Sequence, residues 1–197
     1  MYAFDPPNLS EGPSVGNFWP FWGILQILEN QMKLTGLALG VISVAVACAS
    51  AQQTLTIRVQ DRPPVRKDKV VRTDAEWKRI LTPMQYKILR NKGTEAAFCG
   101  KFHDNHKEGT YICAGCRLPL FSSDDKFDSG SGWPSFTKPV KTENVWYRRD
   151  LAYGMDRIEI LCARCDGHLG HAFNDGPRPT GWRYCLNSDA MLFSERK

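Results

Sequence analysis

The chain carries seven cysteines and four histidines in 197 residues, and their spacing says more than their number. Cys113-Ala114-Gly115-Cys116 and Cys162-Ala163-Arg164-Cys165 are two CxxC pairs. Two residues between thiolates let a tight turn aim both sulfurs at one ion, and two such turns complete the tetrahedron of sulfurs that Zn(II) accepts. With every coordination position taken by sulfur, the ion is expected to be structural, and its loss is expected to unfold the protein. Two disulfides are the competing reading if the protein is exported. A thioredoxin-like redox pair is weaker, because no βαβ pattern surrounds either CxxC.

A fifth cysteine stands in different company. In Gly181-Trp182-Arg183-Tyr184-Cys185-Leu186-Asn187-Ser188, strand alternation puts Arg183, Cys185 and Asn187 on one face and Trp182, Tyr184 and Leu186 on the other. The second face reads as core. A cysteine on the polar face, beside a guanidinium and an amide, is placed to be reached and to be held as a thiolate, whereas an ordinary buried cysteine would sit on the apolar face. Upstream, His168 and His171 lie three apart with Gly167 and Gly170 around them. They read either as metal ligands or as a catalytic acid–base pair, and the second is favoured because four cysteines already account for an ion. Trp133, in a loop of Gly and Ser, is a candidate pocket wall, with core packing as the alternative.

These residues need a scaffold. A composition of 42% hydrophobic and 24% charged residues supports one core but hardly two. The net charge of +5 is spread among many acids, which speaks against a nucleic acid partner. Thr73 to Glu76 and Thr82 to Gln85 each have the form of a capping box, so two short helices are expected, the second with Pro83 at its first position and Gly93 at its stop. From Gly109 onward short apolar stretches, at residues 110–113, 145–148, 157–162 and 181–186, alternate with turn residues. The expected class is therefore mainly β, two antiparallel sheets in a tent-like, zinc-stapled arrangement with short N-terminal helices.

The N-terminal part reads differently. Residues 34–51 carry no charge, follow Met32 and Lys33, and end in Ala49-Ser50-Ala51, the layout of a signal peptide cut after Ala51. A retained membrane anchor and a lipoprotein acylated at Cys48 are the competing readings. Residues 1–31 are an uncertain leader, from a mis-set start or a first membrane helix; 32–51 are signal peptide or anchor, 52–72 a linker rich in charge and proline, and 73–197 the folded domain. An exported, periplasmic or extracytoplasmic protein is expected.

Residues 132–136 (Gly-Trp-Pro-Ser-Phe), the two CxxC pairs, residues 168–181 and residues 183–188 together resemble, in order and spacing, the B-type methionine sulfoxide reductases, over residues 73–197. That resemblance implies a β-rich fold, a structural zinc, and reduction of the R epimer of methionine sulfoxide in oxidised proteins and peptides. It makes Cys185 the nucleophile, which becomes a sulfenic acid. It has His168 and His171 bind and protonate the sulfoxide oxygen, Asp175 and Arg183 orient the network, and Asn187 position groups around the sulfur. Trp133 would pack on the substrate methyl, with Phe136 beside it as a second substrate-binding residue. The chain departs from the commonest pattern at Ser131, where a resolving cysteine would stand. With four cysteines given to zinc and Cys48 in the signal region, Cys99 is the spare thiol expected to resolve Cys185 as a disulfide, which a thioredoxin-like donor would recycle; the alternative leaves Cys99 a bystander and has an external reductant attack directly. A monomer is expected. Two other classes compete, a zinc-ribbon binding module and a metal chaperone or sensor built on the histidines.

Overall fold

The computed structural model describes residues 56–197. The leader, signal, anchor and lipidation readings of residues 1–51 lie outside the described residues. Among the described residues no helix is long and apolar enough to cross a membrane.

Two helices open the domain, α1 (Asp74–Ile80) and α2 (Pro83–Leu89), and both begin at the capping boxes read from sequence. Thr73 Oγ1 accepts from the Glu76 amide at 3.3 Å while the Glu76 carboxylate accepts from the Thr73 amide at 2.7 Å. Thr82 and Gln85 repeat the exchange at 3.2 and 3.0 Å. Each box satisfies amides that the first turn leaves unpaired and contributes about 1 kcal/mol. Seven-residue helices do not stand alone in water; these are held by burial of Trp77, Ile88 and Leu89, with the Arg90 guanidinium 5.0 Å over the Trp77 ring.

The rest is β structure: β1 (Gly109–Cys113), β2 (Pro119–Ser122), β3 (Lys126–Phe127), β4 (Ser135–Phe136), β5 (Val145–Asp150), β6 (Arg157–Cys162), β7 (His168–Phe173), β8 (Arg183–Leu186) and β9 (Met191–Glu195). They form a three-stranded sheet, β2-β1-β9, and a six-stranded sheet, β3-β4-β8-β7-β6-β5. Every pairing between these strands is antiparallel. The sheets meet through aromatic rings: Phe136 lies 4.9 Å from Tyr111 and 4.8 Å from Phe121, and Phe121 lies 5.7 Å from Tyr184, centroid to centroid. Offset and edge-on contacts of this kind add about 1 kcal/mol each beyond the area they bury.

Phe136 therefore does not line a substrate pocket. It is fully buried in the core, because neighbours on a strand point to opposite faces: Ser135 pairs with Cys185, whereas Phe136 pairs with Tyr184 on the core side. The expected linker also behaves differently where it is described. The Gln60 amide donates to the Tyr147 carbonyl at 2.8 Å and Val59 bridges to the same residue, so the segment covers the open edge of β5. Farther on, the Val70 amide donates to the Arg164 carbonyl at 2.8 Å, and Lys69 Nζ lies 2.7 Å from Asp166.

The two CxxC segments have the same local geometry. The Cys113 amide donates to the Leu118 carbonyl and the Arg117 amide to the Cys113 carbonyl, both at 2.9 Å; the Cys162 amide donates to Gly167 and the Asp166 amide to Cys162, again at 2.9 Å. Arg117 and Asp166, each one residue past the second cysteine, have φ of 65° and 55°, the left-handed conformation that folds the turn back. Cys113 ends β1 in one sheet and Cys162 ends β6 in the other, so the pairs tie the sheets together. All four sulfurs lie within 4.8 Å of one another, with Cys113 to Cys165 at 3.6 Å and Cys116 to Cys162 at 3.5 Å. A tetrahedron with metal–sulfur arms of about 2.3 Å has edges of about 3.8 Å; the four thiols fit one ion, not two disulfides.

Stripping this ion with a strong chelator is expected to unfold the domain or lower its Tm by more than about 15 °C, since structural four-thiolate sites supply folding free energy of the same order as a whole domain's stability. Circular dichroism melts with parallel metal analysis check this; an unchanged Tm after complete metal loss is the contrary result.

Candidate active site

Antiparallel pairing puts directly opposed residues on the same face of a sheet, and across the six-stranded sheet one such row reads Ser135 (β4), Cys185 (β8), His171 (β7), Glu159 (β6) and Arg148 (β5). The row lies on the face opposite to that of Phe136 and Tyr184. It thus assembles from five strands a thiol, an imidazole, a carboxylate and a guanidinium. The alternation read for β8 underlies it: Tyr184 and Leu186 are buried while Arg183 and Cys185 are partly open.

His168 joins the row through an irregularity. Three residues apart on a regular strand, His168 and His171 would face opposite sides. In β7, however, Ile160 pairs with Gly170 while Leu161 pairs with His168, so Leu169 is an extra residue and the strand is bulged. A bulge of one residue restores the alternation on the far side, and both histidines turn to the face of Cys185 with ring centroids 5.3 Å apart. Gly170, within this stretch, leaves room for the neighbouring strand: a Cβ there would fall 2.0 Å from the Cys185 carbonyl oxygen.

A cavity of about 120 Å³ opens over Cys185, walled by Trp133, His171, Phe173 and Asn187 among others. A wider groove of about 600 Å³, between the end of α2 and the β5–β6 turn, adjoins it and reaches His168, His171, Asp150 and Arg157. The Trp133 indole is fixed by its N–H donating to the Glu95 carbonyl at 3.1 Å. Asn187 is buried: its Oδ1 accepts from the Glu95 amide at 3.0 Å and its Nδ2 donates to the Leu169 carbonyl at 3.1 Å. Asn187 thus pins the bulge of β7 to the end of β8. Asp175 holds Arg183 through paired contacts of 2.9 and 2.8 Å, and the guanidinium lies 4.4 Å over the Phe173 ring.

Beneath Cys185 runs a chain of hydroxyls. Ser131 Oγ lies 3.9 Å from the Cys185 sulfur, 2.8 Å from Ser129 Oγ, and Ser129 is 2.8 Å from Ser135 Oγ. Burial raises the Cys185 thiol above its ordinary range, and the charge of Arg183 with the hydroxyls of Ser131 and Ser135 offsets only part of that. Arg183 alone therefore does not hold the resting sulfur as a thiolate. Burial likewise lowers the His171 imidazole, against the Asp150 carboxylate 2.8 Å from its Nε2.

Cys99 is exposed, on a loop packed against the one that carries Ser131: the Phe98 amide donates to the Gly132 carbonyl at 2.8 Å, and Phe98 itself has φ of 62°. Among the described residues Cys99 is the cysteine left over from Cys185 and the four-sulfur cluster.

Three acids were missed by the sequence reading. Glu95 is buried, and its carboxylate accepts from the amides of Ser188 and Asp189 at 2.7 and 3.1 Å, tying the loop of Cys99 to the end of β8. Asp150 and Glu159 back the two histidines. Glu159 had a readable signal, a lone acid between Ile158 and Ile160 in an apolar strand; Glu95 and Asp150 had none.

Alkylation of Cys185, followed peptide by peptide, is expected to accelerate with pH through a midpoint above the ordinary thiol value of about 8.5, and Arg183→Met is expected to move that midpoint higher still. A midpoint below neutrality would contradict this balance of burial over charge.

A SelR domain model matches residues 81–195. A peptide methionine sulfoxide reductase MsrB of Leptospira interrogans is 58% identical over 126 residues, which are 64% of this chain and 96% of that protein. Proteins of the same name from Bradyrhizobium diazoefficiens and Methanosarcina barkeri are 56% and 52% identical over 124 residues each, 63% of this chain and 89% and 87% of theirs. The domain match begins at the end of α1 and runs through β9, taking in both CxxC turns, the bulged strand with its histidines and Cys185: the chain belongs to the SelR domain family.

Proposed function

We propose that this protein is a peptide-methionine (R)-S-oxide reductase, returning the R epimer of methionine sulfoxide in oxidised peptides and proteins to methionine, with Cys185 as the nucleophile. The observation that carries the reading is the row that sets the Cys185 sulfur between His171 and the serine hydroxyls, in a small cavity walled by an indole. The names of the relatives agree with it. A zinc-ribbon module would have no use for such a cavity, and among the described residues the group of potential metal ligands is the four cysteines, without either histidine.

A sulfoxide sulfur is a poor electrophile until its oxygen is protonated. In the proposed step the Cys185 thiolate attacks the sulfoxide sulfur, a proton from the histidine pair reaches the oxygen, the oxygen passes to the Cys185 sulfur as its bond to the methionine sulfur and the new sulfur–sulfur bond break, and methionine leaves as a thioether with Cys185 as a sulfenic acid. Trp133 faces the substrate methyl, while Arg183, held by Asp175, and Asn187 keep the sulfur and β7 in register. Cys99 then attacks the sulfenic acid, giving a Cys99–Cys185 disulfide and water; the packing of its loop on that of Ser131 supports this, and the disulfide requires the two Cα atoms to come within about 7 Å. A thioredoxin-like dithiol restores both thiols. The four-thiolate site is assigned to Zn(II) from its all-sulfur, closed donor set, and it supplies structure only. The signal-like residues 34–51 support export, and the chain is proposed to act as a monomer.

Single-turnover assays on the two separated epimers of a methionine sulfoxide peptide are expected to give one equivalent of methionine from the R form and essentially none from the S form. Cys185→Ser is expected to abolish the reaction with metal content unchanged, and Cys99→Ser to spare the single turnover while stopping recycling by a dithiol donor. Retained turnover in Cys185→Ser, or equal use of both epimers, is the outcome that defeats the proposal.

A further inference from the structure

Of the two buried acids, Glu95 ties the loop of Cys99 to the end of β8, whereas Glu159 has no task in the reaction above. Its side chain is 1% exposed, and its neighbours on β6, Ile158 and Ile160, are apolar. Three groups converge on it from three directions. Arg148 on β5 donates from Nε and Nη2 at 3.1 and 2.8 Å, Lys92 after α2 approaches to 3.3 Å, and His168 Nδ1 lies 2.9 Å from the other carboxylate oxygen. His171, beside it in the row, is turned to Asp150, which Arg157 also engages at 2.8 Å. Burial alone would raise the Glu159 carboxyl, but the hydrogen bonds from His168 and Arg148 bring it down to about 2, so it is ionised at neutral pH.

A carboxylate only accepts hydrogen bonds. The nitrogen of His168 that faces it must carry the proton, which leaves the other nitrogen, Nε2, for the site. That atom is buried and has no hydrogen-bond partner among the described residues, an unusual condition for a polar atom in a folded protein, and His168 lines the groove that adjoins the Cys185 cavity.

We infer that Glu159 is a positioning residue that fixes the tautomer and the ring orientation of His168, so that Nε2 is the atom that meets the sulfoxide oxygen. The inference rests on the reductase reading and deepens it. When the imidazole is doubly protonated, Nε2 gives its proton to the oxygen as the Cys185 thiolate attacks; the products are neutral imidazole, the sulfenic acid and the thioether, so charge and atoms balance. Nδ1 keeps its proton throughout, held by Glu159. Arg148 and Lys92 keep the carboxylate ionised and aimed. This is the arrangement in which an acid behind an imidazole sets which nitrogen works, here placed by the bulge that turned His168 inward.

The test uses the full chain with its metal bound. Nitrogen NMR of labelled histidine in the unaltered protein is expected to show neutral His168 protonated on Nδ1; a proton on Nε2 overturns the inference without any variant. Glu159→Gln, whose amide can either donate or accept, is expected to mix the two tautomers and to slow single-turnover reduction about a hundredfold, the lower end of what a positioned acid contributes. Glu159→Asp is expected to recover part of both. An unchanged His168 tautomer or an unchanged rate in a folded Glu159→Gln chain also overturns it. Because the NMR signature needs no substrate, absence of any sulfoxide reduction by the unaltered protein would sink the reductase reading while leaving the tautomer assignment to be judged on its own.

Discussion

Four thiolates that must meet at one ion set the frame on which everything else depends. Cys113 and Cys162 end strands of different sheets, and the second turn leads directly into β7, whose first residue is His168. Where β7 begins is therefore fixed by the geometry of a metal turn, through the hydrogen bond from the Cys162 amide to Gly167. Without the joint, two short helices and two small sheets would rest on their shared hydrophobic core alone. The six-stranded sheet carries the row of Ser135, Cys185, His171, Glu159 and Arg148 across five strands.

The site is an exercise in strand parity. One face of β8 supplies Tyr184 and Leu186 to the core and the other supplies Cys185 to the cavity, and the row through His171, Glu159 and Arg148 follows from pairing. The single departure from regularity, the extra Leu169, brings His168 into the same face. Behind these groups stand acids that do not themselves line the cavity over the sulfur: Glu95 pins the indole, Asn187 and the loop of Cys99 together, and Asp175 holds the guanidinium. Burial raises the Cys185 thiol above its ordinary range, and the Arg183 charge offsets only part of that.

Much of this was legible in the chain itself. Capping boxes and CxxC spacing are local chemistry, decided within six residues, and both formed as read. The alternation in residues 182–187 was equally plain, because core and cavity impose opposite demands on neighbours. What escaped notice depends on contacts distant in sequence. The stretch His168-Leu169-Gly170-His171 was not among those read as strands, since a bulge breaks the very alternation by which a strand is recognised. Phe136 was assigned to the substrate because it neighbours Trp133, whereas pairing of Ser135 with Cys185 turns it into the core. Residues 56–72 carry no apolar period, yet they dock through main-chain hydrogen bonds that leave no trace in side-chain pattern. β2 and β9 were likewise too short or too plain to stand out.

The central claim is that oxygen leaves a methionine sulfoxide for the sulfur of Cys185. The direct measurement uses a Cys99→Ser chain, in which the sulfenic acid has no partner, reacted with a limiting amount of the R epimer and quenched with a sulfenic-acid-selective trap before peptide mass mapping. The account predicts one trapped Cys185 for each methionine formed, with the four metal-bound thiols untouched. Methionine formed while Cys185 remains a free thiol would contradict it.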